Sequence, residues 1–306
     1  MNNIWAQNRH FTPGKPVLLL NSHHDTVKPN KGYTMDPFQP VVKEGRLYGL
    51  GSNDAGGSLV ALLAVFLYYY HETDLNYNLI FAATAEEEIS GHNGIEALIP
   101  RLGPVDCGIV GEPTQMQMAV AEKGLLVLDA VATGRAGHAA REEGENALYK
   151  AMEDIQWLKN HQFEKVSDLL GPVKTTVTVI ETENKAHNVV PAHCKFVIDC
   201  RVNELYSFEE VIDTLKKGMR SDLQPRSTRL RSTAIALDHP LVQAGLSLGR
   251  TYYGSPTTSD KALMPFQTLK MGPGDSARSH TADEFIFLDE IREGIELYIQ
   301  LLDQII

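Results

Sequence analysis

Three short apolar runs in this chain each lead into side chains that can ligate a metal ion. Residues 17–20 (VLLL) run into Ser22-His23-His24-Asp25, residues 79–83 (LIFAA) into Glu86-Glu87-Glu88, and residues 107–110 (CGIV) into Gly111-Glu112-Pro113-Thr114. Imidazole nitrogens and carboxylate oxygens are the ligands that hold zinc and harder divalent cations. One strand with a His after it means little. Three strands that deliver His, Asp and Glu to one sheet edge describe a pocket for metal-assisted hydrolysis. Short apolar runs bounded by turn residues read as buried strands of a parallel sheet. In such open α/β sheets, reactive groups collect beyond the strand ends.

Each cluster also has a plainer reading. The His23-His24 pair could be a solvated polar strand end, although a His that donates its second ring nitrogen to a carboxylate such as Asp25 is oriented for a metal. Asp54, in Gly51-Ser52-Asn53-Asp54-Ala55-Gly56-Gly57, stands where a helix N-cap would stand. Charge runs such as 86–88 are usually solvated faces, yet three adjacent carboxylates directly after a buried strand repel one another until a cation relieves them. Glu112 is a second strand-end carboxylate, with Pro113 enforcing an extended turn. His280 lies in the Gly/Pro-rich loop after the strand-like residues 267–271 and, by itself, is an ordinary loop histidine.

The elements that must position these groups follow from periodicity. Residues 1–118 alternate strands and helices, and 57–70 (GSLVALLAVFLYYY) are apolar nearly all round, which predicts a buried helix whose Tyr68-Tyr69-Tyr70 end is packed. The texture changes near residue 119. Residues 124–133, 174–180 and 195–202 show β-branched alternation, and 146–159 and 208–219 have helical periodicity. That is an α+β layer of helices on one antiparallel sheet, of ferredoxin-like type. After 233 the chain returns to alternating elements and ends in an amphipathic helix over 288–306. The pattern predicts a mixed, mostly parallel α/β catalytic domain (1–118 and 233–306) with an inserted α+β dimerisation or lid domain (119–232).

The chain has 306 residues, 43% hydrophobic and 22% charged, values of an ordinary soluble domain pair. A formal charge of −11 argues against a nucleic-acid partner, which needs a basic face. No apolar run reaches the ~20 residues of a membrane span, and residues 1–11 lack the apolar centre of a signal peptide. Cys107, Cys194 and Cys200, an odd number without tight metal spacing, argue against disulfides, and Cys107 and Cys200, in apolar strand-like runs, read as packing residues. The expectation is an acidic cytoplasmic enzyme.

In order along the chain, S-H-x-D, G-x-x-D-x-x-G, T-x-x-E-E, G-E-P-T, G-x-x-x-H and G-P-G…H-x-x-D-E resemble the co-catalytic zinc hydrolases that include acetylornithine deacetylase, succinyl-diaminopimelate desuccinylase, aminoacylase and carboxypeptidase. The last string resembles the acetylornithine deacetylase branch most. The resemblance implies two zinc ions per chain, replaceable by Co²⁺. His23 and Glu112 would hold one ion, Glu88 and His280 the other, and Asp54 would bridge them. It further implies that Glu87 is the general base and that Asp25 orients His23. His138, in Gly134-Arg135-Ala136-Gly137-His138, would reach a neighbouring subunit's site in a homodimer. Asn188 and Arg201 would hold the substrate carboxylate, although an ion pair with Asp199 is an equal reading for Arg201.

The family commonly has Lys where Gly56 stands, and a helical segment of several tens of residues before the first strand. The implied reaction is removal of the N-acyl group from an N-acyl amino acid, N-acetylornithine in arginine synthesis first. N-acetylcitrulline, N-succinylornithine, N-succinyl-diaminopimelate or a dipeptide are alternatives, as is an inactive relative serving binding or assembly. Residues 254–260 are expected to contribute to specificity.

Overall fold

The three apolar runs are strands Val17–His23, Asn78–Thr84 and Cys107–Val110, and every residue in them is buried. They lie side by side in parallel, with His23 opposite Thr84 and Asn21 opposite Val110. Their carboxyl ends therefore share one edge of the sheet. Burial on both faces explains why these strands read as continuous apolar runs without alternation. Strand Gln267–Lys270 extends the sheet in parallel, Lys270 beside Val110, and so delivers the following loop to the same edge. Ile4–Gln7 closes the opposite side, antiparallel to Asn78–Thr84. These findings come from a computed structural model that describes residues 2–141 and 143–306.

Helix Gly57–Tyr69 follows the Asp54 turn. It buries Ala61, Leu62, Val65, Phe66 and Tyr69, and the Tyr69 hydroxyl donates to the Ile299 carbonyl (3.1 Å) and to Asp303 (2.6 Å) at the end of the C-terminal helix Leu288–Leu302. The sequence predicts burial all round. The structure corrects this: Val60, Leu67 and Tyr68 are 53%, 58% and 59% exposed. A helix that packs on its sheet and on one neighbouring helix leaves one stripe open, and residues 60, 67 and 68 fall on that stripe.

By internal contacts the chain divides into two units, Met1–Val120 with Ala234–Tyr253 and Ser259–Ile306, and Ala121–Thr233 with Gly254–Thr258. The second is a four-stranded antiparallel sheet ordered Lys174–Thr182, His193–Val202, Gly124–Thr133, Asp222–Pro225. With helices Ala147–Asn160 and Phe208–Gly218 the chain order is βαββαβ, the ferredoxin-like arrangement. Gly124–Thr133 alternates buried and half-buried residues along most of its length. Its inward Leu126, Leu128 and Ala130 meet Phe196 and Ile198 from the neighbouring strand, and Phe208, Val211 and Leu215 from the second helix. Asn146 caps the first helix through Leu148 N–H, and Ser207 with Glu210 forms a reciprocal capping box on the second. Cys107, Cys194 and Cys200 are buried and free.

Candidate metal centre

His23 is the last residue of its strand and only 2% exposed. Its Nε2 lies 3.3 Å from Asp54 Oδ1 and 3.9 Å from Glu112 Oε1. Its Nδ1 is 3.0 Å from the Asp25 carbonyl oxygen, with the Asp25 carboxylate farther off at 3.6 Å. The backbone of Asp25 thus sets the ring, leaving Nε2 to face the carboxylates. His24, one residue on, points the other way and sits 2.8 Å from the Asn2 carbonyl, so strand alternation separates the pair into one buried and one exposed imidazole. Burial disfavours a charged His23, but Asp25 and Asp54, backed by Glu112 and Glu87, hold its pKa well above the ordinary imidazole range.

Asp54 caps no helix. The helix after it begins at Gly57 behind Gly56, without a side-chain cap from the described residues. Asp54 sits instead at φ −117°, ψ 96° within the irregular turn Ser52–Gly56. Its second oxygen, Oδ2, lies 3.5 Å from His280 Nε2. One carboxylate therefore offers one oxygen to each of two imidazoles. The turn is closed tightly: Gly56 N–H donates to the Gly51 carbonyl at 2.9 Å, and a Cβ at Gly56 would lie 2.5 Å from that oxygen. The lysine expected from the resemblance has no room in this backbone.

The three glutamates separate. Glu86 turns away at φ 63° and accepts Asn93 N–H and Nδ2 at 3.0 Å each, which fixes the loop. Glu88 Oε2 lies 3.0 Å from His280 Nε2, its side chain 7% exposed. The Asp25 carboxylate accepts the N–H groups of Glu87 and Glu88, both at 3.2 Å, so it anchors the glutamate loop as well as sitting near His23. Burial, and next Glu112, pushes Glu87 well above the usual carboxylate range; Asp260 and Glu88 add to this and His23 opposes it. Burial and Asp54 raise Glu88. For Asp54 burial acts upward, but His23 wins and holds it below the usual range.

This donor set fits divalent metal. Two imidazoles and three carboxylates converge, and the crowding of Glu88 by burial and Asp54 is a cost that a cation would remove. Ligand atoms of His23, Asp54 and Glu88 all lie within 4.8 Å of one another. Around Asp54 the contacts form two sets, His23 with Glu112 and His280 with Glu88.

Residues 19–304 match the peptidase family M20/M25/M40. The chain belongs to this family. Among curated M20 relatives it is 28% identical over 230 residues to succinyl-diaminopimelate desuccinylase 2 of Ruegeria sp. (strain TM1040), spanning 71% of this chain and 57% of that protein. It is 26% identical over 311 residues to acetylornithine deacetylase of Myxococcus xanthus, spanning 91% and 77%. The M20 family metallo-carboxypeptidase Sso-CP2 from Sulfolobus solfataricus superposes with a TM-score of 0.76 at 17% identity, covering 99% of this chain and 87% of that one. The fold is therefore the M20 fold, and relatives of both names match.

The remaining M20-type expectations fall in the second unit. His138 pairs with Val189 across the two short strands Gly137–His138 and Val189–Val190, and Ala139 N–H donates to the Asn188 carbonyl at 2.9 Å. His138 and Asn188 are thus neighbours, both exposed. Arg201 instead forks onto Asp199 through Nε (2.8 Å) and Nη2 (3.0 Å), the ion-pair reading left open from sequence. Two residues that sequence reasoning gave no role carry much of the first unit's geometry. Asn53 and Glu284 both bind the chain around Asp54 and His280. The signal was present, since Asn53 precedes Asp54 and Glu284 ends the H-x-x-D-E string, but only the tertiary fold shows what they hold.

Proposed function

We propose that this chain is a two-zinc amidohydrolase that removes the N-acyl group from an N-acyl amino acid, N-acetylornithine first among candidates, in arginine synthesis. Asp54 carries the reading: its two oxygens face His23 and His280, and each imidazole has a further carboxylate beside it, Glu112 or Glu88. His23 with Glu112 and His280 with Glu88, sharing Asp54, would hold a pair of divalent ions. When bound, such ions polarise an amide carbonyl and make water nucleophilic near neutral pH.

The chain's own residues supply the rest. Glu87 follows the buried strand, and burial with the neighbouring Glu112 raises its pKa. It would take the proton from the attacking water and hand it to the leaving amine. A homodimer through residues 119–232 would let His138 meet the developing oxyanion of substrate bound at the partner subunit's centre. The strand Lys174–Thr182, at the edge of its sheet and largely exposed, supports pairing with a second copy. Asn188 and, after release from Asp199, Arg201 would receive the substrate carboxylate. Buried free thiols suit a cytoplasmic setting.

A panel of N-acetyl and N-succinyl amino acids and dipeptides, assayed with added Zn²⁺ or Co²⁺, tests activity and substrate together. N-acetylornithine should head the ranking. A different best substrate overturns the specificity, and a protein that binds no divalent ion overturns the reaction.

A further inference from the structure

We propose that Glu284 is a positioning residue of the metal centre, a buried carboxylate that fixes Asp54 relative to His280. The inference rests on the two-metal reading above. Glu284 is 2% exposed. Its Oε1 accepts the N–H groups of Asn53 and Asp54, both at 2.9 Å, and its Oε2 accepts that of Gly51 at 3.0 Å. Three backbone donors of one turn therefore converge on one side chain.

The turn needs such a partner. Gly51, Asn53 and Asp54 stand at the start of the turn Ser52–Gly56, where N–H groups have no preceding helical carbonyl to bond. Water could satisfy those donors but could not fix their position. A buried carboxylate is costly unless hydrogen-bonded, and charge-assisted bonds from three N–H groups are the strong kind. Glu284 also lies four residues after His280 in the chain. At the loop's other end, Asn53 clasps Asp275, accepting its N–H and donating to its carbonyl, both at 3.0 Å. The loop bearing His280 is thus fastened at both ends to the turn bearing Asp54. The 3.5 Å separation of Asp54 Oδ2 and His280 Nε2 is the dimension these two fastenings control. A glutamine at 284 keeps one acceptor but turns an NH₂ toward the Gly51 N–H. An aspartate keeps the charge but falls short by one methylene.

The test is Co²⁺ titration of wild type, Glu284→Gln and Glu284→Asp, with Co²⁺ absorption spectra and the melting point of each metal-free protein. Groups that orient metal ligands typically change affinity by about 10–100-fold when altered. Both variants should lose Co²⁺ affinity within that range and show a shifted Co²⁺ spectrum, Glu284→Asp less than Glu284→Gln. A merely structural carboxylate would lower the metal-free melting point and leave affinity and spectrum at wild-type values; that result overturns the proposal. If Glu284→Gln does not fold, Glu284→Asp decides: wild-type affinity and spectrum in that variant also overturn it. Wild-type protein that takes up no Co²⁺ sinks the metal reading itself, whereas uptake by wild type and equal uptake by both variants sinks this inference alone.

Discussion

The Asp54 turn and the His138 strip are both short, irregular segments that carry an imidazole or carboxylate assigned to chemistry, yet they are held in opposite ways. Around Asp54, buried or half-buried side chains grip the backbone from three sides: Glu284 on the turn, Asn53 on the His280 loop, and Asp25 on the glutamate loop. Around His138, the ring is exposed, and its Nδ1 accepts the Ala140 N–H at 3.1 Å beside a two-residue strand. Positional precision in this chain is stored in buried carboxylates and amides that bind main-chain N–H groups. That suits groups that must hold a cation at fixed spacing. A group that only has to meet substrate can be left on a looser support.

Metal removal should separate the two regions most. Dialysis against a strong chelator should bring amide hydrolysis to background, with recovery on adding Zn²⁺ or Co²⁺. Hydrogen exchange should quicken in the metal-free protein at 86–88 and 279–281, because the mutual repulsion of the carboxylates returns. Exchange along Gly124–Thr133 should not change. Undiminished turnover in metal-free protein would end the reading, and uniform loosening of both units would end the comparison.

Glu87→Gln comes next. The amide has nearly the shape of the carboxylate but cannot take a proton from water, so kcat should fall by about 10²–10⁴-fold, the range for a positioned base. Bound metal, measured by elemental analysis, should stay at the wild-type level. Loss of metal from Glu87→Gln with retention in Glu88→Gln would mean that the two neighbours exchange roles.

His138→Ala should cost about 10²–10³-fold in kcat, as for loss of one oxyanion donor, with metal content unchanged. Mixing it with Glu87→Gln under conditions of subunit exchange sharpens the point. If His138 acts on the partner, the hybrid dimer has one site with intact Glu87 and an intact partner His138, and activity returns. If mass measurement confirms exchange and the mixture stays inactive, the action in trans is excluded.

Much of this architecture was legible because its physics is local. Parallel strands buried on both faces must be apolar throughout, so 17–20, 79–83 and 107–110 announced themselves and fixed the site's edge. In the second unit, inward and outward positions alternate, so 124–133 and 195–202 were equally plain. What was missed depends on partners distant in sequence. An all-round apolar helix does not say which side its fold will leave open, hence the exposed Val60, Leu67 and Tyr68. The run 86–88 does not say that Glu86 adopts a positive φ and turns to Asn93. The strand Asp222–Pro225 is four residues long and ends in proline, too little pattern to read. Glu284 acts on residues more than 200 positions earlier, a relation no spacing rule encodes.

The smallest effect lies at Ser207, and it probes the same contrast from the other side. Ser207 Oγ accepts Glu210 N–H at 3.1 Å, and Glu210 Oε2 accepts Ser207 N–H at 2.8 Å, which starts helix Phe208–Gly218. Like the Asp54 braces, this is a side chain bound to orphan main-chain donors, but it serves a helix end whose Phe208, Val211 and Leu215 are core residues. Ser207→Ala removes one acceptor and should lower stability by about 1 kcal/mol, with Ser207→Gly costing only a few tenths. Denaturant midpoints read that difference. Co²⁺ affinity and the metal content should stay at wild-type values, because helix packing in the second unit tolerates a slightly weaker cap without moving any ligand of the first. A Co²⁺ affinity that falls with Ser207→Ala as it falls with Glu284→Gln would show that any loss of stability loosens the centre, and that the buried braces around Asp54 hold nothing special.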